Sequence, residues 1–371
     1  MDFEFTDEQL ELRDVARSVL ATACPPSVVR GVYEGTGDGA ALWQTLCELD
    51  WPGLGISADH GGVGLGLVEV GVIVEELGRV VAPTPYLATV TQFLPMLRAA
   101  GSTFRLEEIA AGSVTATLAL AEGGRWSVDA VMATARRDGG DWILSGTKSH
   151  VLDGATADEL AVVARTGDGV GVFVVPGAAV RAEPMRVIDP TMPLATVVLD
   201  EVPVSGDRVL LAPGDPAAVD AVERALQEAT TALSLSTVAT CRAIFEATVQ
   251  YATEREQFGK PIGSFQAVKH RLADCYLAVE RAAALAYFAA LTIAEDDDRR
   301  AIATAMAKAA AGDCQRLLTR DGLQLHGGIG FTWEHDLHFL LKRAVTGELL
   351  LGPSAFHRAR LAVLLGLEPA A

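Results

Sequence analysis

The apolar residues of this chain change their period twice, and that change constrains the fold more than any single motif. Leu42, Leu46 and Leu49 recur at helical spacing, as do Val72, Glu75/Glu76 and Leu77, which set an apolar face beside an acidic one. Thr6-Asp7-Glu8-Gln9 has the form of a capping box, in which the Thr hydroxyl and the Gln side chain satisfy orphan amides at a helix start. From Ser113 the pattern turns to short β-like runs at 115–120, 131–137, 142–151, 160–165, 170–175 and 196–202, separated by Gly, Asp and Pro. Asp138-Gly139-Gly140-Asp141 reads as a hairpin turn between two of them. No long helix interrupts these runs, which predicts an antiparallel β domain rather than a βαβ sheet. Beyond Pro213 helical spacing returns, with Phe265, Val268, Leu272, Cys275 and Val279 on one face. Asp296-Asp297-Asp298 breaks that segment before another helix begins near Arg300. The expected fold is α+β and multidomain: a helical domain over 1–112, a β domain over 113–212 and a helical bundle over 213–371.

Charge removes several classes of function. The 371 residues hold 48 acidic and 30 basic side chains, a net charge of −18, with a pI near 4.8. Phosphate neutralisation needs clustered Lys and Arg, so a nucleic-acid binder is not expected, nor is docking on an anionic membrane surface. Met1-Asp2-Phe3-Glu4-Phe5 lacks the basic start and apolar run of a signal peptide. The longest helical apolar run, 282–294, is too short for a bilayer core of roughly 30 Å and reads as a buried core helix. Five scattered cysteines without close spacing point to reduced thiols in a cytoplasmic protein. No low-complexity tract or solenoid-period repeat is present in the sequence.

Two motif readings fail on context. Gly61-Gly62-Val63-Gly64-Leu65-Gly66 does not satisfy G-x-G-x-x-G and joins helices, so it reads as a structural turn rather than a Rossmann fingerprint. No G-x-S-x-G occurs, and His335, Asp336 and His338 fall on different faces of a helix, so no metal site is expected.

Two segments say more. Tyr251-Ala252-Thr253-Glu254-Arg255-Glu256-Gln257-Phe258-Gly259-Lys260-Pro261-Ile262 continues through Phe265-Gln266, and Gln324-Leu325-His326-Gly327-Gly328-Ile329-Gly330-Phe331 precedes a further helix. With the α-β-α order, they resemble the flavin-dependent acyl-CoA dehydrogenases over essentially the whole chain. The likeness extends to Phe5-Thr6-Asp7-Glu8-Gln9 and to Gly61–Gly64 with Glu75-Glu76-Leu77. The resemblance implies FAD as cofactor and an acyl-CoA as substrate. In that family the R-x-x-F-G segment of one subunit reaches its neighbour's FAD. Arg255 would meet the pyrophosphate with a planar, permanently charged fork, and Phe258 would cover the adenine end. Gln257, Phe265 and Gln266 would lie close by. Gln324, Gly327 and Gly328 would bring an amide and bare backbone against the same dinucleotide.

The departures are as informative. The family's reaction needs a carboxylate base held over the substrate, usually the Glu of a Glu-Gly-Thr turn. Here Gly352 matches the Gly, so Leu351 stands at the Glu position and Pro353 at the Thr position. A minority of members place the base on the helix before R-x-x-F-G, where this chain has Ala229, followed by Thr230. Glu348 and Glu228 are the nearest carboxylates to these positions, and a solvent-facing or salt-bridged role is the plainer reading of both. In the β domain, Leu120-Ala121-Glu122-Gly123-Gly124-Arg125 and His150-Val151-Leu152 replace the family's T-x-P-x-x-G-S and W-x-[S/T] segments.

Groups that would act on this chain's own flavin and substrate are thus missing, while those reaching a neighbour's dinucleotide remain. The resemblance therefore implies the non-catalytic partner of a homologous subunit in a hetero-oligomer. Such enzymes act on bulky CoA thioesters, including steroid side chains, and pass electrons to an electron-transfer flavoprotein. Phe331-Thr332-Trp333-Glu334-His335-Asp336-Leu337-His338 is similar to the actinobacterial branch. The alternatives are a self-sufficient homotetramer with Glu348 or Glu228 as base, and a flavin-free scaffold. Residues 242–371 hold 15 basic and 15 acidic side chains, so the whole −18 lies in residues 1–241. That acidity weighs against an independent site for anionic CoA on this subunit.

Overall fold

The computed structural model describes residues 4–367. In chain order its helices are α1 (Asp7–Ala23), α2 (Pro26–Glu34), α3 (Ala40–Glu48), α4 (Leu67–Arg79), α5 (Tyr86–Ala88), α6 (Leu94–Ala99), α7 (Leu106–Ala110), α8 (Ala218–Glu254), α9 (Gln266–Ala294), α10 (Arg300–His326), α11 (Leu337–Leu349) and α12 (Ser354–Leu364). The chain divides into two compact units. One gathers the chain up to Gly39, Leu67–Pro83 and everything from Thr230 onward; the other holds Ala40–Gly66 and Thr84–Ala229.

The second unit is built on one sheet between α7 and α8. Its strands are β1 (Ala116–Ala119), β2 (Thr134–Asp138), β3 (Asp141–Leu152), β4 (Glu159–Thr166), β5 (Gly169–Pro176), β6 (Arg181–Pro184), β7 (Leu194–Val204) and β8 (Val209–Leu211). The order is β6-β7-β3-β2-β4-β5-β8, with β1 beside β4. The predicted hairpin is present, with Asp138 paired to Asp141 across the two glycines. Five pairings are antiparallel, as the sequence predicts, but β1 and β2 run parallel to β4. A parallel pair needs a long crossover, and the β2–β3 hairpin supplies it between β1 and β4. Apolar alternation carries no information about strand direction, so the sequence did not show this. Leu144, Val162, Phe173, Val197 and Leu199 form the core against the sheet. The Gly-rich segment is a turn packed on its own unit: a Cβ on Gly62 would lie 2.1 Å from the Ile56 carbonyl oxygen.

In the first unit, α1 starts at the capping box. Thr6 Oγ1 accepts from the Gln9 amide at 3.2 Å, and Gln9 Oε1 accepts from the Thr6 amide at 3.1 Å. Helices α8, α9 and α10 share a core of Val238, Ile244, Val279, Ala282, Cys314 and Leu318. On the predicted α9 face, Cys275 and Val279 are buried, while Phe265, Val268 and Leu272 are half-buried. Two glycines let neighbouring helices lie against α8: a Cβ on Gly78 would come within 2.5 Å of the Ser236 carbonyl oxygen, and one on Gly347 within 2.2 Å of Thr237 Oγ1. Helix α9 is longer than the 282–294 run because it continues back to Gln266. Its length and apolar composition would suffice to cross a bilayer, and a third of its most apolar stretch is buried here. Val279, Ala282, Ala286, Ala289, Ala290 and Thr292 are among its buried residues.

Candidate functional site

The R-x-x-F-G segment forms a projecting hairpin. After α8, Glu256–Gln257 (β9) pairs antiparallel with Lys260–Pro261 (β10), leaving Phe258 and Gly259 as the two turn residues. Both have positive φ, +55° and +78°, the pairing demanded by a tight two-residue hairpin. A bulky residue rarely adopts that conformation, which costs on the order of 1–2 kcal/mol. Phe258 is 91% exposed, with its ring edge-on to Phe265 at 6.2 Å. Lys260 Nζ sits 4.4 Å above the Phe265 ring. Gln257 donates from its side chain to the Glu256 carbonyl at 2.8 Å, and Gln266 opens α9 exposed. Arg255 is exposed, and its guanidinium has no hydrogen-bond or ion-pair partner among the described residues.

The second motif closes α10. Gln324 is exposed on the last turn, and Gly327 follows with φ +61° and ψ −141°, a conformation that side-chain-bearing residues avoid. A Cβ on Gly327 or Gly328 would meet nothing within 4 Å, so packing inside this chain does not demand either glycine. The rings of Tyr251 and His326 stack at 4.6 Å and 20°. Tyr251 precedes Arg255 by one helical turn and His326 follows Gln324 by two residues. The stack therefore sets the ends of α8 and α10 side by side, so both motifs emerge together. Both rings lie within the motif segments, but nothing in their spacing announces the contact.

These residues suit a dinucleotide. An unpaired guanidinium, an exposed aromatic ring, an exposed amide and open space over two glycines match the pyrophosphate, adenine and backbone-approach needs of FAD.

The turn at Leu351, expected from the sequence to match the family's base position, is different in character. Leu351 is 3% exposed with φ +59°, and Gly352 follows at φ +93°. His357 Nε2 donates to the Leu351 carbonyl at 2.9 Å, and burial pushes the His357 pKa down to about 4. Three residues earlier, Glu348 Oε1 accepts from the Ser354 amide and hydroxyl, with Arg316 Nη1 at 3.6 Å. Lys308, fully buried, donates from Nζ to the carbonyls of Gly347 and Glu348 at 2.6 and 2.8 Å. In the second unit, Glu228 is paired with Arg98 at 2.5 Å, and burial raises its pKa against the pull of that guanidinium. Ala229 and Thr230 are both buried.

In the β domain, the Leu120–Arg125 stretch is consumed internally. Glu122 accepts from the amides of Met132 and Ala133 at 2.8 and 2.9 Å and from Lys148 Nζ at 2.6 Å, with Lys148 entirely buried. A cavity of about 480 Å³ beside this turn is lined by Gly123, Arg125, Met132, Thr147 and Ser149 among others. His150 takes φ +54°, leans on Trp126 at 6.4 Å, and leaves Nδ1 buried without a partner among the described residues. The other histidine cluster is also occupied: Asp336 pairs with Arg30, and His335 Nδ1 accepts from the Leu337 amide at 3.1 Å.

A helical unit with a projecting R-x-x-F-G hairpin beside a Q-x-x-G-G helix end, together with a β-sheet unit, defines a flavin-dependent dehydrogenase fold. Residues 6–120 match the acyl-CoA dehydrogenase N-terminal domain, and 219–365 match the acyl-CoA dehydrogenase C-terminal domain. Acyl-CoA dehydrogenase IpdE2 of Mycobacterium tuberculosis is 32% identical over 341 residues, covering 91% of each chain. Acyl-CoA dehydrogenase FadE34 of the same organism is 34% identical over 91% of this chain and 45% of its own length. Among solved structures, the ChsE4–ChsE5 complex of Mycobacterium tuberculosis aligns over the whole of both chains at TM-score 0.90 and 25% identity. The Tcur3481–Tcur3483 steroid enzyme of the same class aligns at TM-score 0.87 and 31% identity over 97% of this chain and 98% of its own. The chain belongs to the acyl-CoA dehydrogenase family, oxidoreductases whose cofactor is FAD.

Proposed function

We propose that this chain is the non-catalytic subunit of a hetero-oligomeric acyl-CoA dehydrogenase, paired with a homologous subunit that supplies the catalytic Glu. The observation that carries this reading is the contrast between two sites. Leu351, buried at the base position, has no side-chain atom that accepts a proton, whereas Arg255 stands outward without an ion-pair partner among the described residues and Phe258 is 91% exposed. Arg255 holds the pyrophosphate of the partner's FAD, Phe258 covers its adenine, and Gln257, Phe265 and Gln266 flank them. Gln324 reaches the same dinucleotide, with Gly327 and Gly328 allowing close backbone approach. FAD, when bound, accepts the hydride that leaves the β carbon of the acyl-CoA as the partner's carboxylate takes the α proton, giving the 2-enoyl-CoA. Electrons then pass to an electron-transfer flavoprotein in the cytoplasm. Glu348 and Glu228 are held in other contacts, which disfavours a homotetramer using either as base. The 31% identity to a steroid enzyme supports a bulky, steroid-side-chain-like thioester as substrate.

The test is purification of this chain alone and with a homologous subunit. The expected result is stoichiometric FAD and turnover only in the complex. Full FAD and turnover in the lone chain would overturn the reading; a complex that turns over but holds no flavin absorption band would do the same.

A further inference from the structure

Helices α1, α4, α8 and α9 enclose a pocket of about 540 Å³ that the dehydrogenase chemistry does not use. Its walls bring in four arginines: Arg13 and Arg17 from α1, Arg79 from α4 and Arg242 from α8. Three of these are among only five basic residues in the first 100 of an otherwise acidic stretch. Carboxylates hold three of the guanidinium groups in place. Arg17 donates to both oxygens of Glu76, at 2.6 and 3.0 Å, and Arg79 makes a two-pronged contact with Glu246 at 2.9 and 2.7 Å. Arg242 Nη1 reaches Glu280 at 2.7 Å, leaving its Nε and Nη2 unused among the described residues.

Arg13 is the exception. Its Nε is buried with no hydrogen-bond partner, and its ion-pair contact is a distant one, 3.9 Å to Asp14. Opposite stands Glu75, whose Oε2 accepts from the Tyr287 hydroxyl at 2.6 Å and which has no direct ion pair among the described residues. Phe5 packs edge-on against Tyr287 at 4.7 Å, and Ala239, Ala283 and Ala284 leave room at the pocket wall. Guanidinium groups held in place, with N–H donors left over after their carboxylate contacts as on Arg242, form a receptor for a tetrahedral oxyanion.

We propose that this pocket binds a tetrahedral dianion, a phosphate or phosphate-ester group, on Arg13 and Arg242, with uptake of a proton by Glu75. With Glu75 ionised, four cationic and four anionic side chains balance; its protonation leaves the pocket one positive charge in excess. Burial raises the Glu75 pKa to about 7, with the Tyr287 hydroxyl, Arg242 and Arg13 opposing and Glu76 reinforcing the rise. A bound dianion pushes it further up, so affinity rises as pH falls through neutrality.

Calorimetry on the full chain tests this, using sulfate as a probe because it does not titrate near pH 7. At pH 7 the expected uptake is about half a proton per sulfate, read from buffers of different ionisation enthalpy. Glu75→Gln removes the uptake while keeping binding, and Arg13→Gln weakens binding by about tenfold or more. Inorganic phosphate and a nucleoside monophosphate then separate the sources: equal affinity assigns the free ion, and tighter binding of the ester assigns a phosphorylated ligand. No measurable binding of sulfate or phosphate, or binding that Arg13→Gln leaves unchanged in a variant of wild-type thermal stability, overturns the proposal.

Discussion

The carboxylate of Glu348 holds the first residue of α12: its Oε1 lies 3.0 Å from the Ser354 amide and 2.9 Å from the Ser354 hydroxyl. An acidic group at a helix start satisfies an otherwise orphaned N–H and complements the positive end of the helix dipole. Arg316 Nη1, donating to Ser354 Oγ at 2.9 Å, completes the arrangement. The turn between Glu348 and Ser354 carries Leu351 in the left-handed region, so this contact also helps fix the backbone there.

Replacing Glu348 by Ala is therefore expected to destabilise the fold by about 1–3 kcal/mol, the cost of leaving buried donors unpaired. Glu348→Gln, which keeps one acceptor oxygen, should lose less. Urea unfolding of both variants measures the difference. The pH–rate profile of the assembled enzyme should not move; a shifted acidic limb in Glu348→Gln would identify the residue as a base after all.

Lys308 makes a pH-dependent contribution. Burial brings its pKa down to about 7, with the Glu348 carboxylate opposing, while a lysine in the unfolded chain titrates near 10.4. Between those values the unfolded chain binds more protons than the folded one, so this group's contribution grows more favourable as pH rises from about 7 toward 10. Relative to Lys308→Met, wild-type stability should climb by up to about 1 kcal/mol per pH unit in that window. Chemical denaturation at pH 7, 8 and 9 checks the slope, and a constant difference across the three would refute it.

Arg255→Ala and Phe258→Ala should leave the stability of the isolated chain within about 0.5 kcal/mol of wild type, because both side chains are exposed. In the complex with its partner the same changes should lower FAD content, and Arg255→Ala should make the remaining flavin retention less salt-sensitive. Absorbance of the co-purified complex reads this directly. Unchanged flavin occupancy in both variants would remove these residues from the cofactor site.

Arg98→Ala strips Glu228 of its ion-pair partner and leaves a buried carboxylate with a raised pKa. The carboxyl is neutral and tolerated at low pH and charged and unpaired at high pH. The variant should thus lose about 1–2 kcal/mol more at pH 8 than at pH 5, an effect held down by the exposure of Arg98. Glu228→Gln should show no such pH dependence. Thermal melts across pH 5–8 test the sign.

Much of the architecture was legible in the residues. The α1 capping box, the Asp138–Asp141 hairpin and the break at residues 296–298 depend on neighbours three or four positions apart, so local chemistry settles them. The R-x-x-F-G and Q-x-x-G-G segments were readable as motifs, and the structure places them at the adjoining ends of α8 and α10. The sequence reading that sets Leu351 at the position of the family's carboxylate underlies the proposed need for a partner chain.

What only the tertiary structure decided involves groups that are distant in sequence or joined across a turn of unusual shape. Periodicity is blind to strand direction, so the parallel β1–β4 pairing emerged only with the folded sheet. The Tyr251–His326 stack spans 75 residues, and Lys308 reaches carbonyls 39 and 40 residues away. Glu348 and Ser354 are six residues apart, yet they meet only because Leu351 and Gly352 both adopt positive φ. Composition assigned the whole negative charge to the first 241 residues; folding gathered three of the five arginines in the first 100 residues around one pocket. Local pattern determines which elements form, and the fate of each charged side chain depends on what the packed helices bring opposite to it.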